Sequence, residues 1–215
     1  MGEVYFWGYM ISGIPPIFIA KWRLSTSIQI CSLLVLVGST VKYFSYHNFW
    51  WALTGQIIIG LSQGFLYCTP GAFAFRWFPE KTIPFIMTVF LYGSSTGAGI
   101  GFLIPPFMET PVETSQLIMV IYSGLVFVLL LIFGFKEFPD SPPSAFAGDQ
   151  DIKLGFMDSM REVIRHKSLL KTAGVLFIGL GCTWGFLGVN SMFIIRSGLN
   201  DRQAGIYGMA VTLGG

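Results

Sequence analysis

The sequence predicts an all-α fold, a bundle of helices that crosses a membrane several times. Three observations carry this. Charged residues make up only 11% of the 215, where a soluble domain carries about 25%. Hydrophobic residues make up 53%, and the mean hydropathy is +0.66. The apolar residues also gather in runs of roughly 20, the length that crosses a bilayer as a helix.

Six full spans are predicted in order. The first, 4–20, is short. The second is 25–44 and the third 49–73, which holds Gln56 and Gln63 as polar groups able to bond between helices. The fourth, 83–107, contains GSSTGAGIGFLIPPF. The fifth is 115–135 and the sixth 170–195. A seventh starts near 204 and runs to 215, too few residues to cross, so the bundle is expected to be incomplete. Tyr5, Tyr43, Tyr46, Trp50 and Trp51 stand near one boundary and read as an aromatic belt.

Lys and Arg set the orientation. Ten of them, from Lys21 and Arg23 to Lys167 and Lys171, fall in one set of loops. Lys42, Arg196 and Arg202 fall in the other. The first set is therefore cytoplasmic and the N-terminus outside.

The segment after the fifth span differs. KEFPDSPPSAFAGDQD is rich in Pro, Ser and Asp and reads as an extended linker. Ile152, Phe156, Met160 and Val163 then recur at helical spacing opposite a charged face, which predicts an amphipathic helix on the cytoplasmic surface. Five spans, a long linker and further spans fit a transporter built from two six-helix halves. The expected domains are 1–136, a half-bundle lacking its first helix; 137–167, the linker; and 168–215, the start of a second half-bundle.

The fourth span carries the most pointed pattern. Gly93, Gly97 and Gly101 recur every four residues and predict a smooth helix face for close packing. Pro105 and Pro106 predict the end of its hydrogen-bond ladder. These five residues are the expected packing and gating elements. Ser94, Ser95 and Thr96 cannot all face one partner helix. One of them either lines a central cavity or bonds back to its own helix. In the sixth span Trp184 lies between Thr183 and Gly185, with Asn190 six residues on. Trp184 is either a packed core residue or a surface for a cation. The candidate substrate-binding residues are Ser94, Ser95, Trp184 and Asn190.

Other chemistries lack their parts. There is no HExxH, no GxSxG between strand and helix, no metal-spaced cluster and no basic patch for nucleic acid, so no catalytic residue, metal or cofactor is expected. Cys31, Cys68 and Cys182 stand singly in apolar runs and read as small hydrophobes. All 24 formally charged residues lie in loops or near span ends, which leaves no intramembrane proton relay and favours a facilitator. The expected partners are a small-molecule substrate, the bilayer (the plasma membrane by default) and the missing helices of the bundle.

Several short motifs resemble the major facilitator superfamily and, more narrowly, the feline leukaemia virus subgroup C receptor family, described as haem and choline transporters. They are Gly55-Gln56, Trp77-Phe78-Pro79, Gly97 with Gly101-Phe102-Leu103-Ile104-Pro105-Pro106, and Phe138-Pro139 with Pro142-Pro143-Ser144. The resemblance implies helices two to eight of twelve, and alternating access. Three departures stand beside it. Ala20-Lys21-Trp22-Arg23 replaces the usual Asp- and Gly-bearing loop, Ser94-Ser95 stands where the family shows Asn-Gln, and Ala98 follows Gly97 where an exchanger carries Pro. A choline-like cation is the natural candidate substrate. Haem is less favoured, because His47 and His166 both lie in loops. Two other readings remain open: a truncated, non-transporting membrane interaction protein, and a seven-helix receptor, which lacks the Asp-Arg-Tyr and Asn-Pro-x-x-Tyr motifs.

Overall fold

A computed structural model of the chain describes residues 12, 23–46, 48–108, 111–134, 161 and 164–214. Ser12, which is helical, is the one described residue of the expected first span. The expected surface helix is described only at 161 and from 164 onward.

Among the described residues the main helices are α1 (Leu24–Tyr43), α2 (Phe49–Trp77), α3 (Ile83–Leu103), α4 (Pro111–Phe133), α5 (Lys167–Arg196) and α6 (Asp201–Gly214). Short 3-10 turns at Phe44–Tyr46, Glu80–Thr82 and Pro105–Phe107 extend or join them. Among the described residues there is no strand, and the segments Leu24–Tyr46, Phe49–Trp77, Glu80–Phe107 and Val112–Phe133 are each long and apolar enough to cross a bilayer. At about 1.5 Å per residue, the 30-residue α5 is some 45 Å long.

Local chemistry explains the helix ends. Asn48 is the N-cap of α2; its side-chain oxygen accepts from the Trp50 backbone N–H at 3.2 Å. Before α6, the Gln203 side chain reaches back to accept from the Asn200 N–H at 3.1 Å, one half of a capping box, and the Asn200 carbonyl accepts the first helical bond from Ala204 at 2.9 Å. Gly134 after α4 and Gly198 after α5 have φ of +59° and +67°, left-handed values that a Cβ would penalise. In α3 the ladder stops at Leu103, and Pro105 and Pro106 turn the chain into a 3-10 turn closed by Met108 N–H to Pro105 carbonyl at 3.1 Å.

The centre of the structure is the antiparallel pair α1–α2, the most extensive contact in the molecule. Their backbones nearly touch. A Cβ built on Gly55 would lie 2.7 Å from the Gly38 carbonyl oxygen and 2.7 Å from the Lys42 nitrogen. One built on Gly38 would lie 2.6 Å from Ile59 Cγ1. Only glycine permits this approach, and with it the close dispersion contacts that hold helices together in lipid. Polar links run along the same seam. Lys42 Nζ donates to Gln56 Oε1 at 2.9 Å, and Cys31 Sγ donates to the Ser62 carbonyl at 3.6 Å. Ser27 Oγ lies 3.4 Å from Thr69 Oγ1, whose own proton goes to the Phe65 carbonyl at 2.6 Å, so Ser27 is the donor. Each such bond between membrane helices contributes on average about 0.6 kcal/mol.

The buried set follows from this construction. Among the described residues it includes Leu24, Ala52, Phe65, Ala74 and Ile83 together with Ser12, Ser27, Ser32, Ser39, Ser62, Gln63, Arg76 and Ser123. Large residues such as Phe85, Leu91, Ile132 and Phe133 face outward. A soluble core would invert this, but lipid tails compete equally for large apolar side chains. Hydroxyls are satisfied within their own helices, as at Thr40 on the Leu36 carbonyl (2.8 Å) and Ser123 on the Met119 carbonyl (2.7 Å).

α4 packs along α1, with Gly124 near Leu36 and Gln116 Nε2 donating to Ser45 Oγ at 3.1 Å. Ser12 joins α2 on another side: its hydroxyl accepts from Gly64 N–H at 3.2 Å and donates to the Gly60 carbonyl at 3.5 Å. α2 and α3 meet at an aromatic corner, where Phe73 is stacked on Trp77 (6.2 Å) and edge-on to Phe78 (5.6 Å) and Phe90 (6.0 Å).

The α1–α2 seam makes a direct prediction. Gly55→Leu must push the two backbones apart, and overpacking of this kind costs about 1–3 kcal/mol. A lower thermal midpoint in detergent is expected. Gly124→Ala is the control: its Cβ would meet only Leu36 Cδ1, at 3.7 Å, and the midpoint should hold or rise. Equal behaviour of the two variants would show that α1 and α2 do not meet at Gly55.

Candidate functional site

α3 carries most of the predicted site, and its geometry sorts those residues onto two faces. Successive residues turn by about 100°. Gly99, Phe102 and Pro106 therefore share one side of α3, with Ser95 one turn further in. That side meets α6. The Gly99 Cβ position lies 3.4 Å from Met209 Cγ and Leu213 Cγ, and Gly208 and Gly205 sit against Phe102 and Pro106. Ser95 is half-buried there.

The opposite side holds Gly93, Gly97 and Gly101, with Ser94 beside them. Nothing among the described residues comes within 4 Å of a Cβ built on any of the three glycines. Ser94 is exposed, and neither Ser94 nor Ser95 makes a side-chain hydrogen bond among the described residues. The two adjacent serines thus address different surroundings, as their 100° separation requires.

α5 supplies the other two candidates. Trp184 and Asn190 lie within the unbroken helix Lys167–Arg196, and their side chains fall outside the described residues. The described side chains of α5, among them Val175, Phe177, Ile178 and Phe186, are exposed. The structure places Ser94 and Ser95 on α3 and Trp184 and Asn190 on α5.

Two cations, one half-buried and one buried, stand where residue order alone reads span ends. Lys42 lies in the last turn of α1, half-buried and held by Gln56. Arg76 lies in the last turn of α2 and is only 6% exposed. A cation suits the negative end of a helix dipole, and Arg76 completes the α2 helix past Phe73 where the sequence suggested a loop. Its signal was its position, three residues before Pro79. All described acidic residues lie at helix ends or in turns: Glu80, Glu113 and Asp201.

Where α1 ends and α2 begins, an open apolar groove of about 300 Å³ is walled by Thr40, Val41, Phe44 and Trp51. Tyr46, Phe49, Trp50 and Trp51 are exposed around it, in the manner of an interfacial belt. Tyr5 lies outside the described residues. Among the described residues no three His, Cys, Asp or Glu side chains gather. Cys31 and Cys68 are half-buried and unbridged.

Comparison with known proteins gives this architecture its kinship. The family model described as Major Facilitator Superfamily matches residues 3–215. The cat protein choline/ethanolamine transporter FLVCR1 is 27% identical over 235 residues, covering 96% of this chain and 41% of its own length. Human choline/ethanolamine transporter FLVCR2 is 30% identical over 152 residues, 63% of this chain and 29% of its own. A Caenorhabditis elegans protein described as uncharacterized MFS-type transporter C09D4.1 is 25% identical across 85% of this chain. The chain spans less than half the length of these curated relatives. The match across nearly every residue, on a bundle of membrane-length helices, establishes that this integral membrane chain belongs to the major facilitator superfamily.

Proposed function

We propose that the chain is part of a transporter that moves a small organic solute by alternating access, with a choline-like cation as the substrate. The observation that carries this is the family match over residues 3–215, together with relatives named choline/ethanolamine transporters. In this reading residues 1–136 are most of one half-bundle, 137–167 the cytoplasmic linker and 168–215 the start of the other half. The remaining helices come from the rest of the transporter, and the plasma membrane is its place of work.

The chemistry of the chain supports a cation that carries its own charge. The described carboxylates stand at helix ends, so α1 to α4 present no proton relay at mid-membrane. A quaternary ammonium needs no carboxylate, because an indole face attracts it by about 0.5–2 kcal/mol. Trp184, at mid-helix in α5, is the residue proposed for that role, with Asn190 as a neutral hydrogen-bonding group. Ser94 is the proposed contribution from α3, on its open face, and Ser95 lines the α3–α6 contact. Haem is the weaker candidate, since His166 is exposed ahead of α5 and His47 lies outside the described residues.

The open face at Gly93, Gly97 and Gly101 is proposed to receive a helix from the rest of the bundle. Small residues in this spacing let a neighbour approach to backbone distance.

Two measurements test these statements. Uptake of radiolabelled choline by cells expressing the full protein should exceed that of untransfected cells. Trp184→Ala should lower it about tenfold, equivalent to ~1.4 kcal/mol, at unchanged surface expression. Uptake and expression falling together would make Trp184 a packing residue. Gly97→Leu should reduce the yield of folded protein, whereas an unaffected yield would mean that this face meets lipid.

A further inference from the structure

α5 is longer than the membrane it crosses. Its 30 residues span about 45 Å, whereas the hydrocarbon core of a bilayer is about 30 Å thick. The surplus falls at one end. Ile194 and Ile195 run directly up to Arg196, so there the apolar stretch stops where the helix stops. Counted back from Arg196 at about 1.5 Å per residue, the core is crossed by roughly residue 176. Lys171 and Lys167 then lie about 38 and 44 Å from Arg196, in the headgroup layer of the opposite leaflet. By the orientation of the Lys and Arg residues, that leaflet is the cytoplasmic one.

This end of α5 carries one sign of charge. Lys167 and Lys171 are four residues apart and share a face of the helix. Arg165 comes just before them and Arg161 four residues earlier, and all four side chains are exposed. The sequence holds no Asp or Glu from 163 to 200. Elsewhere on the same side, Arg76 is buried and Lys81 adjoins Glu80. Between the two lysines, Leu169 and Leu170 are half-exposed, an apolar pair at the depth where acyl chains begin. α5 makes no extensive contact with another described helix. Cationic heads beside short apolar side chains, held at the boundary by the length of the helix, complement a lipid whose headgroup is anionic. Each Lys or Arg near such a surface strengthens association roughly fivefold.

We propose that the N-terminal end of α5 is a binding site for anionic phospholipid of the cytoplasmic leaflet. Arg165, Lys167 and Lys171 meet the charged headgroup, and Leu169 and Leu170 rest on the first carbons of its acyl chains. The site rests on α5 as a membrane span and is independent of what the protein transports.

The test uses a cysteine-free version of the full protein, with Cys31, Cys68 and Cys182 among those replaced. Ser168→Cys, between the cations, carries a fluorophore. The protein is reconstituted in phosphatidylcholine vesicles containing a minor fraction of lipid spin-labelled near the glycerol, either phosphatidylserine or phosphatidylcholine. Quenching by the serine lipid should be about threefold stronger or more at low salt. It should fall toward parity in ~1 M salt, where charges are screened beyond about 3 Å. Arg165→Gln, Lys167→Gln and Lys171→Gln combined should bring the ratio to about one, whereas Lys81→Gln leaves it unchanged. Lys167→Arg with Lys171→Arg keeps the charge and should keep the preference, which separates a loss of charge from a loss of fold. Equal quenching by the two lipids in the parent, or a preference that survives the triple change, overturns the site. Quenching by neither lipid would put this end of α5 outside the bilayer and overturn it as well. Loss of the preference on adding inorganic phosphate at constant ionic strength would assign the cluster to a soluble anion instead.

Discussion

The rest of the molecule depends on the backbone approach of α1 to α2. In lipid there is no hydrophobic force between helices, because the tails are as apolar as leucine. A bundle must therefore start where surfaces fit closely enough for dispersion and weak Cα–H···O contacts to add up. Gly38 and Gly55 supply that fit, and the Lys42–Gln56 bond fixes the register beside them. α4 then docks on the free side of α1, and Ser12 bridges Gly60 and Gly64 on α2. α3 is held to this nucleus at one end, by the Phe73 rings.

The polar residues follow the same packing. Several serines and threonines within the spans, Thr40, Thr69 and Ser123 among them, return their protons to carbonyls of their own helices and so are satisfied without water. The half-buried Lys42 and the buried Arg76 sit at opposite ends of the α1–α2 pair, each in the last turn of its helix. Charge is kept where the dipole and the membrane boundary both favour it.

The spans were legible in the sequence because a bilayer leaves few alternatives to a helix of about 20 apolar residues. Leu24–Tyr43 and Phe49–Trp77 were expected at 25–44 and 49–73; the second runs longer because Arg76 is carried inside the last turn rather than in a loop. Pro70 interrupts neither reading, since one missing bond is tolerated within a packed membrane helix. The packing was far less legible. The conspicuous glycine stripe at 93, 97 and 101 meets no described neighbour, while the close contacts fall on Gly38, Gly55, Gly64, Gly99, Gly205 and Gly208. Spacing along one helix says which residues share a face. Which face finds a partner is decided by a second helix, more than 100 residues away in the chain for Gly99 and Leu213. Ser94 and Ser95 show the same limit: their separation onto two faces follows from the helical turn, but that α6 covers the side of Ser95 does not.

The long sequence interval inside the α3–α6 seam has a consequence for biogenesis. α3 ends at Leu103 and its partner helix begins at Asp201, about 100 residues later. At a synthesis rate of about 5–20 residues per second, roughly 5–20 s pass between the two. For that time the Phe102 side of α3 stands in the membrane without the glycines that seat it, while α1 and α2 are neighbours in the chain and pair as they emerge. Assembly is therefore ordered from the inside of the chain outward. The interval before α6 arrives is when a nascent molecule most needs the insertion machinery to shelter an unfinished surface.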